Sequence, residues 1–214
     1  NYNISKLIND SLTRAKFKGK LIFASSTQEE IGNNYGNAKK HSRELFIKSS
    51  KKLDYKFCGL IIPNVYGPFC KSNYNSFIST FSYNLINGIK NSINEKAHVE
   101  LIYIDNLIKL IINEFKSDSN IKKIINYDIK VNVLQTFNKL KLFHKAYVLR
   151  GEIPKLKSDF EVNLFNTFRS FLYSESFFPV SYNISEDERG RFSELVRSNC
   201  KGQFSFSTTN KKFI

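Results

Sequence analysis

The stretch Leu21-Ile22-Phe23-Ala24-Ser25-Ser26-Thr27, followed by Tyr35-Gly36-Asn37-Ala38-Lys39, decides the fold. An apolar run ends in hydroxyl residues, a polar loop follows, and the pattern then predicts a helix from about Asn34 through Ser50. Tyr35 and Lys39 stand four apart, which on a helix puts them one above the other on one face. An ammonium beside a phenol favours the phenolate and lowers the tyrosine pKa from its reference of about 10 towards working pH. Tyr35 is then suited to passing a proton to or from an oxygen that Ser26 holds by a hydrogen bond. Tyr-x-x-x-Lys alone recurs by chance in chains of this size. The reading rests on its surroundings: the strand, the paired serines, the small Gly36 and, further along the same helix, Glu44.

Outward from this segment the chain alternates helical and strand patterns. Leu7, Ile8 and Leu12 predict one face of a helix leading into the strand Leu21-Ala24. Phe57-Ile62 reads as a fully apolar strand, broken by Pro63-Asn64 and the turn at Gly67-Pro68. Continuous apolar strands separated by helices are what a parallel sheet covered on both faces requires. Phe77, Ile78, Phe81, Leu85, Ile86 and Ile89 predict an amphipathic helix ending near Gly88. A strand at Val99-Ile104, a helix at Asn106-Phe115, a loop at Lys116-Asn120, a strand at Ile124-Tyr127 and a helix at Val133-Tyr147 follow. Beyond Gly151 one more helix is marked by Phe160, Leu164, Phe165, Phe168, Phe171 and Leu172, and Phe177-Phe178-Pro179 breaks its periodicity. From Val180 the pattern is β, with Arg191-Leu195, a polar turn Ser198-Gly202 and the alternating Phe204-Ser205-Phe206-Ser207.

Composition bounds the function classes. The 41% hydrophobic content and 20 Phe of this 214-residue chain argue for packed cores. No apolar run reaches membrane-spanning length and no signal pattern opens the chain, so a cytoplasmic protein without a membrane partner is expected. The net charge of +14 is carried by dispersed lysines such as Lys51, Lys52, Lys122 and Lys123, without an Arg-rich stripe, and predicts no nucleic-acid partner. Cys58, Cys70 and Cys200 are odd in number and far apart, which fits reduced thiols. His41, His98 and His144 are too scattered to suggest a metal cluster. The nine glycines contain no Gly-x-Gly-x-x-Gly and the chain has no Met, so the expectation is a fragment whose N-terminal, phosphate-cradling half is missing.

Together the Ser25-Ser26 and Tyr35-x-x-x-Lys39 elements resemble the active-site segment of the extended short-chain dehydrogenase/reductase, or NAD-dependent epimerase/dehydratase, family. Ile62-Pro63-Asn64-Val65-Tyr66-Gly67, Asn73-Tyr74-Asn75-Ser76 with Thr80-Phe81, Tyr103-Ile104-Asp105-Asn106, and Asp187-x-Arg189-Gly190 with Gly202-Gln203 narrow the resemblance. In that order they are similar to bifunctional capsular polysaccharide enzymes in which a reductase domain is fused to a C-terminal cupin. The resemblance implies an α/β fold: the C-terminal half of a Rossmann-type doubly wound parallel sheet, then the first strands of an all-β cupin barrel. The domains would be 1–150 for the reductase part, 151–179 for a helical connector and 180–214 for the cupin start.

The function so implied is NADPH-dependent reduction of the C4 ketone of a UDP-2-acetamido-2,6-dideoxy hexose, on the way to UDP-N-acetyl-L-fucosamine. NAD is the other cofactor admitted. Tyr35 would be the proton donor, Lys39 would hold the nicotinamide ribose and tune Tyr35, and Ser26 would orient the C4 oxygen. Pro63 would border the nicotinamide, while Asn64, Tyr74 and Asn75 would contact the UDP-sugar. Asn64 has a second reading as a turn cap, and the Tyr74-Asn75 loop as a brace for the following helix. Ile61 departs from the family's usual Arg, and Asn106 from the second Asp of the late-strand motif. Zinc is expected only in cupin residues beyond Ile214, so no metal ligand is assigned, and the complete enzyme is expected to be a homodimer. Two alternatives stay open: a nucleotide-sugar 4-epimerase or dehydratase that cycles NAD internally, and a non-catalytic binding or assembly module.

Overall fold

A computed structural model describes residues 2–117, 122–172, 182–198 and 202–210. Phe177-Phe178-Pro179, Val180 and Cys200 lie outside the described residues, as does most of the predicted Lys116-Asn120 loop. The chain divides into two compact units, residues 1–65 with 99–131 and residues 66–98 with 132–214.

In the first unit, helix α1 (Tyr2–Arg14) precedes strand β1 (Lys20–Ser26), a 3-10 turn (Thr27–Glu30), helix α2 (Asn34–Leu53) and strand β2 (Lys56–Ile62). Strand β3 (Asn64–Tyr66) follows Pro63 directly; later come β4 (His98–Tyr103), α4 (Ile104–Lys116), β5 (Lys122–Ile124) and β6 (Ile129–Asn132). β1, β2 and β5 form a parallel sheet in which Leu21 faces Phe57 and Ser26 faces Ile62 across the register. Strand periodicity explains why β2 is apolar throughout. Cys58, Leu60 and Ile62 share one core with Ile102, Leu107 and Ile125. On the other face Phe57 joins Phe46 and Tyr55, with Leu12, Phe17, Leu21 and Phe23 packed around them.

The structure refines three sequence readings. The strand expected at 99–104 forms as β4 and lies beside the parallel sheet: it belongs to a separate sheet of order β3-β4-β6, and its Ile102 shares a core with Cys58, Leu60 and Ile62 of β2. Of the strand expected at Ile124-Tyr127 only Ile124 lies in a strand, as the last residue of β5; β6 begins at Ile129, and between them the Asp128 carboxylate accepts the Tyr103 N–H at 2.8 Å. The helix expected from Leu7, Ile8 and Leu12 forms as α1 ahead of β1, with Leu7 and Ile8 exposed and Leu12 packed on the core.

The second unit gathers α3 (Phe77–Ile86), α5 (Val133–Phe143), a π-type turn (His144–Val148) and α6 (Asp159–Arg169) around aromatic contacts. The Phe81–Phe137 and Phe143–Phe165 rings stand 5.1 and 5.3 Å apart edge to face, a geometry the ring quadrupoles favour. Ser76 and Ser158 cap α3 and α6 by accepting the N–H of Ser79 and Glu161. Strands β7 (Glu152–Ile153), β8 (Ile184–Asp187), β9 (Gly190–Ser198) and β10 (Gly202–Thr209) make a second β layer. β9 and β10 pair antiparallel, as the alternating sequence predicts, while β7 joins β9 in parallel without a sequence signal.

Candidate active site

The site is built where β1 ends. Ser26 has extended backbone angles and caps the 3-10 turn, its hydroxyl oxygen accepting the Gln28 N–H at 3.2 Å. With the oxygen so engaged, the Ser26 O–H can still be given to another acceptor. Asn33 caps α2 by accepting the Gly36 N–H at 2.7 Å, which sets the helix start and carries Tyr35 into its first turn. Tyr35 is 38% exposed. Lys39, one turn further, donates to the Ala24 carbonyl at 2.8 Å, and its ammonium lies 5.2 Å from the Phe23 ring centre and 5.7 Å from that of Tyr35. The helical spacing expected from sequence thus brings Tyr35, Lys39 and the end of β1 together. Burial lowers the Lys39 pKa, and the negative charge of Glu29 opposes that effect.

Gly36 is the residue that lets the two elements meet. A Cβ there would stand 1.9 Å from the Gln28 carbonyl oxygen, so the first turn of α2 rests on the backbone of the 3-10 turn. Gly36→Ala is expected to push the turn carrying Ser26 away from the helix carrying Tyr35, at a cost of about 2 kcal/mol. Thermal unfolding should then fall by about 4–8 °C. An unchanged melting temperature would show that the contact is not tight.

Beneath these groups lies a network that sequence reasoning missed. Glu29 is 4% exposed and Arg43 8%. Arg43 Nε and Nη2 donate to the Glu29 carboxylate at 3.0 and 2.6 Å, and Ser25 Oγ donates to it as well. Burial alone would raise the Glu29 pKa, but the bonds from Arg43 and Ser25 bring it below the usual carboxylate value. The partners are 14 positions apart on different elements, so no periodicity announces them. The hint was Gly59, which has no side chain: a Cβ there would meet Arg43 Cδ at 2.7 Å.

The other predicted residues are dispersed over the two units. Pro63 is buried between β2 and β3. Asn64 opens β3 with its side chain exposed, and its amide donates to the Glu100 carbonyl of β4 at 3.4 Å, so it braces the β3–β4 pair as well as facing solvent. Tyr74 and Asn75 belong to the second unit and are exposed; Lys71 lies 5.9 Å from the Tyr74 ring centre. Ser76, not Asn75, supplies the cap of α3. Asn106, the departure in the late-strand motif, donates to Asp128 at 3.0 Å. Among the described residues, no helix is long and apolar enough to cross a membrane.

Comparison with known proteins joins these elements to a family. Residues 1–129 match the NAD dependent epimerase/dehydratase family. The UDP-2-acetamido-2,6-beta-L-arabino-hexul-4-ose reductase of Pseudomonas aeruginosa is 28% identical over 198 residues, covering 89% of this chain and 51% of that protein. The crystal structure of the capsular polysaccharide assembling protein CapF from Staphylococcus aureus superposes with a TM-score of 0.81 at 26% identity, over 96% of this chain and 56% of that one. A UDP-glucose 4-epimerase from Thermotoga maritima, at TM-score 0.65 and 17% identity over 78% of this chain and 68% of its own, shares the fold. The chain therefore spans about half the length of the curated relative it matches. The matched region holds β1, the 3-10 turn, α2 and the parallel sheet, and the chain belongs to the NAD dependent epimerase/dehydratase family.

Proposed function

We propose that the protein carrying this chain is a nucleotide-sugar reductase that uses NADPH to reduce the C4 ketone of a UDP-2-acetamido-2,6-dideoxy hexose, in the formation of a capsular or surface polysaccharide precursor. The observation that carries this reading is the junction of β1 and α2: Ser26 with an O–H to give, Tyr35 at the surface, and Lys39 anchored to β1 beside the Tyr35 ring. The similarity to a UDP-sugar keto reductase supports the substrate class.

The residues fit a nicotinamide cofactor. Lys39 gives one N–H to Ala24 and has two more for a ribose hydroxyl, and Pro63 offers an apolar border. When bound, the dihydronicotinamide supplies the hydride for the ketone carbon. Ser26 donates a hydrogen bond to the ketone oxygen and orients it. Tyr35 gives its phenolic proton to that oxygen as negative charge develops there, and the Lys39 ammonium steadies the phenolate left behind. Asn64, Tyr74 and Asn75 are assigned to the UDP-sugar, in keeping with their exposed positions. The cytoplasm, a homodimer, and a division into a reductase part to residue 150, a connector and a cupin start from residue 180 belong to the same reading. The antiparallel β9–β10 pair after Asp187-x-Arg189-Gly190 supports its last element.

The test is to incubate the protein with NADPH and the UDP-4-keto sugar. Loss of NADPH absorbance equal to the alcohol formed is expected. Interconversion of C4 epimers without NADPH loss would establish the epimerase alternative, and binding without turnover the assembly module.

A further inference from the structure

We infer that the buried Glu29–Arg43 pair is a positioning device for the reacting groups: it ties the turn that follows Ser26 to the helix that carries Tyr35 and Lys39, and sets a compensating charge against Lys39. The inference rests on the proposed reductase reading for its catalytic consequence, but its structural basis is independent of it. Arg43 lies four residues after Lys39 on α2, one turn further along the same face. Its side chain runs flat over Gly59 of β2, where no Cβ would fit, to reach Glu29. Glu29 accepts four hydrogen bonds, three from Arg43, whose Nε reaches both carboxylate oxygens, and one from Ser25, the neighbour of Ser26. A carboxylate so buried is tolerated only with such partners, and they hold it in one geometry.

The pair therefore grips both sides of the site. Through Ser25 it fixes the end of β1, and through Arg43 it fixes the α2 turn that presents Lys39. The charged surroundings are defined. Lys39 meets the Glu29 charge from the 3-10 turn, the Ala24 carbonyl and the Phe23 ring from β1, and the Tyr35 ring on its own helix, where Arg43 stands one turn further along. Glu29 also feels Lys122 at the start of β5, and Arg43 feels Glu30 and Glu44. Glu29 is the carboxylate whose charge raises the Lys39 pKa against the lowering that burial causes.

Opposite single substitutions separate this role from simple support of the fold. Glu29→Gln removes the negative charge that opposes the desolvation of Lys39, so Lys39 should lose its proton at lower pH. Arg43→Gln leaves Glu29, ionised throughout the alkaline range, without its cation, so Lys39 should lose its proton at higher pH. Lys39 titration is read by NMR of its side-chain Cε and Nζ in the full chain. The alkaline limb of kcat for ketone reduction should move in the same two directions. A structural role would lower stability in both variants without moving Lys39 in opposite senses, and that result would overturn the inference.

If a single variant fails to fold, Glu29→Leu with Arg43→Met replaces the pair by apolar groups of similar size and preserves packing. In that folded double variant the loss of the Glu29 charge, which acts on Lys39 directly, should outweigh the loss of Arg43, so Lys39 should titrate at lower pH and kcat should fall. Unchanged Lys39 titration and kcat there would equally overturn the inference. Absence of ketone reduction by the unsubstituted protein would count against the reductase reading alone, since the NMR titration judges the pair without turnover.

Discussion

Tyr35→Phe is expected to lower kcat for reduction of the UDP-4-keto sugar by roughly 10²–10⁴-fold while leaving UDP-sugar binding unchanged. Phe keeps the ring beside the Lys39 ammonium but deletes the proton that the ketone oxygen must receive. Ser26 would still orient that oxygen, so water can protonate it slowly and the rate should fall without vanishing. Because the substitution acts only as charge develops, KM should move little. Steady-state rates with calorimetric binding of the UDP-sugar check both parts. Wild-type turnover in the Phe variant would remove Tyr35 from the proposed mechanism.

The second large effect is on stability, at the opposite end of the parallel sheet. Glu114 of α4 has a side chain only 1% exposed; Lys123 of β5 pairs with it at 2.9 Å and Lys20 of β1 at 3.5 Å. Ser117 Oγ also donates to it at 2.9 Å, and Lys20 further donates to the carbonyls of Glu114 and Ser117. Burial alone would raise its carboxyl, yet the hydrogen bonds from Lys123, Ser117 and Cys58 bring it down to about 2. Burial, aided by the Glu114 charge, pushes the Cys58 thiol up to about 11, so Cys58 is a protonated core residue at neutral pH. Glu114→Ala leaves Lys20 buried beside a void and should destabilise the chain by about 3 kcal/mol at neutral pH. The partly exposed Lys123 recovers water, which keeps the loss from being larger.

The pH dependence has a definite sign. A carboxyl depressed in the folded state contributes stability above its unfolded pKa, and that contribution is lost as pH falls through the folded value. Glu114 should therefore contribute fully above about 4.5 and lose its contribution between there and about 2. Denaturant unfolding at several pH values checks this: the gap between wild type and Glu114→Ala should be largest near neutrality and close below pH 4. A gap independent of pH would mean that packing, not charge, dominates.

Local sequence signals decided much of this fold. The apolar run of β2 announced a strand buried on both faces, since both of its alternating faces meet a core. Tyr35 and Lys39 were found because a helix converts a spacing of four into adjacency. What stayed hidden depends on partners remote in sequence. Glu29 and Arg43 look like surface charges until the 3-10 turn folds onto α2, and Gly36 shows its purpose only beside the Gln28 carbonyl. Residues 125–127 read as strand but form none, and beside them the Asp128 carboxylate accepts the backbone N–H of Tyr103, 25 positions earlier. Helix α1 shows the converse: Ile8 and Leu12 have helical spacing, yet Ile8 is exposed while Leu12 packs on the core, so spacing alone does not say what covers a face.

The most direct measurement of the central claim follows the hydride. The protein is supplied with NADPH carrying deuterium at both C4 positions of the nicotinamide, together with the UDP-4-keto sugar, and the product is read by NMR and mass spectrometry. The reductase account predicts one deuterium at C4 of the sugar for every NADPH consumed, in a single C4 configuration. A product whose C4 configurations interconvert without taking up deuterium would contradict it, because the hydride would then have come from a nicotinamide cycling within the protein.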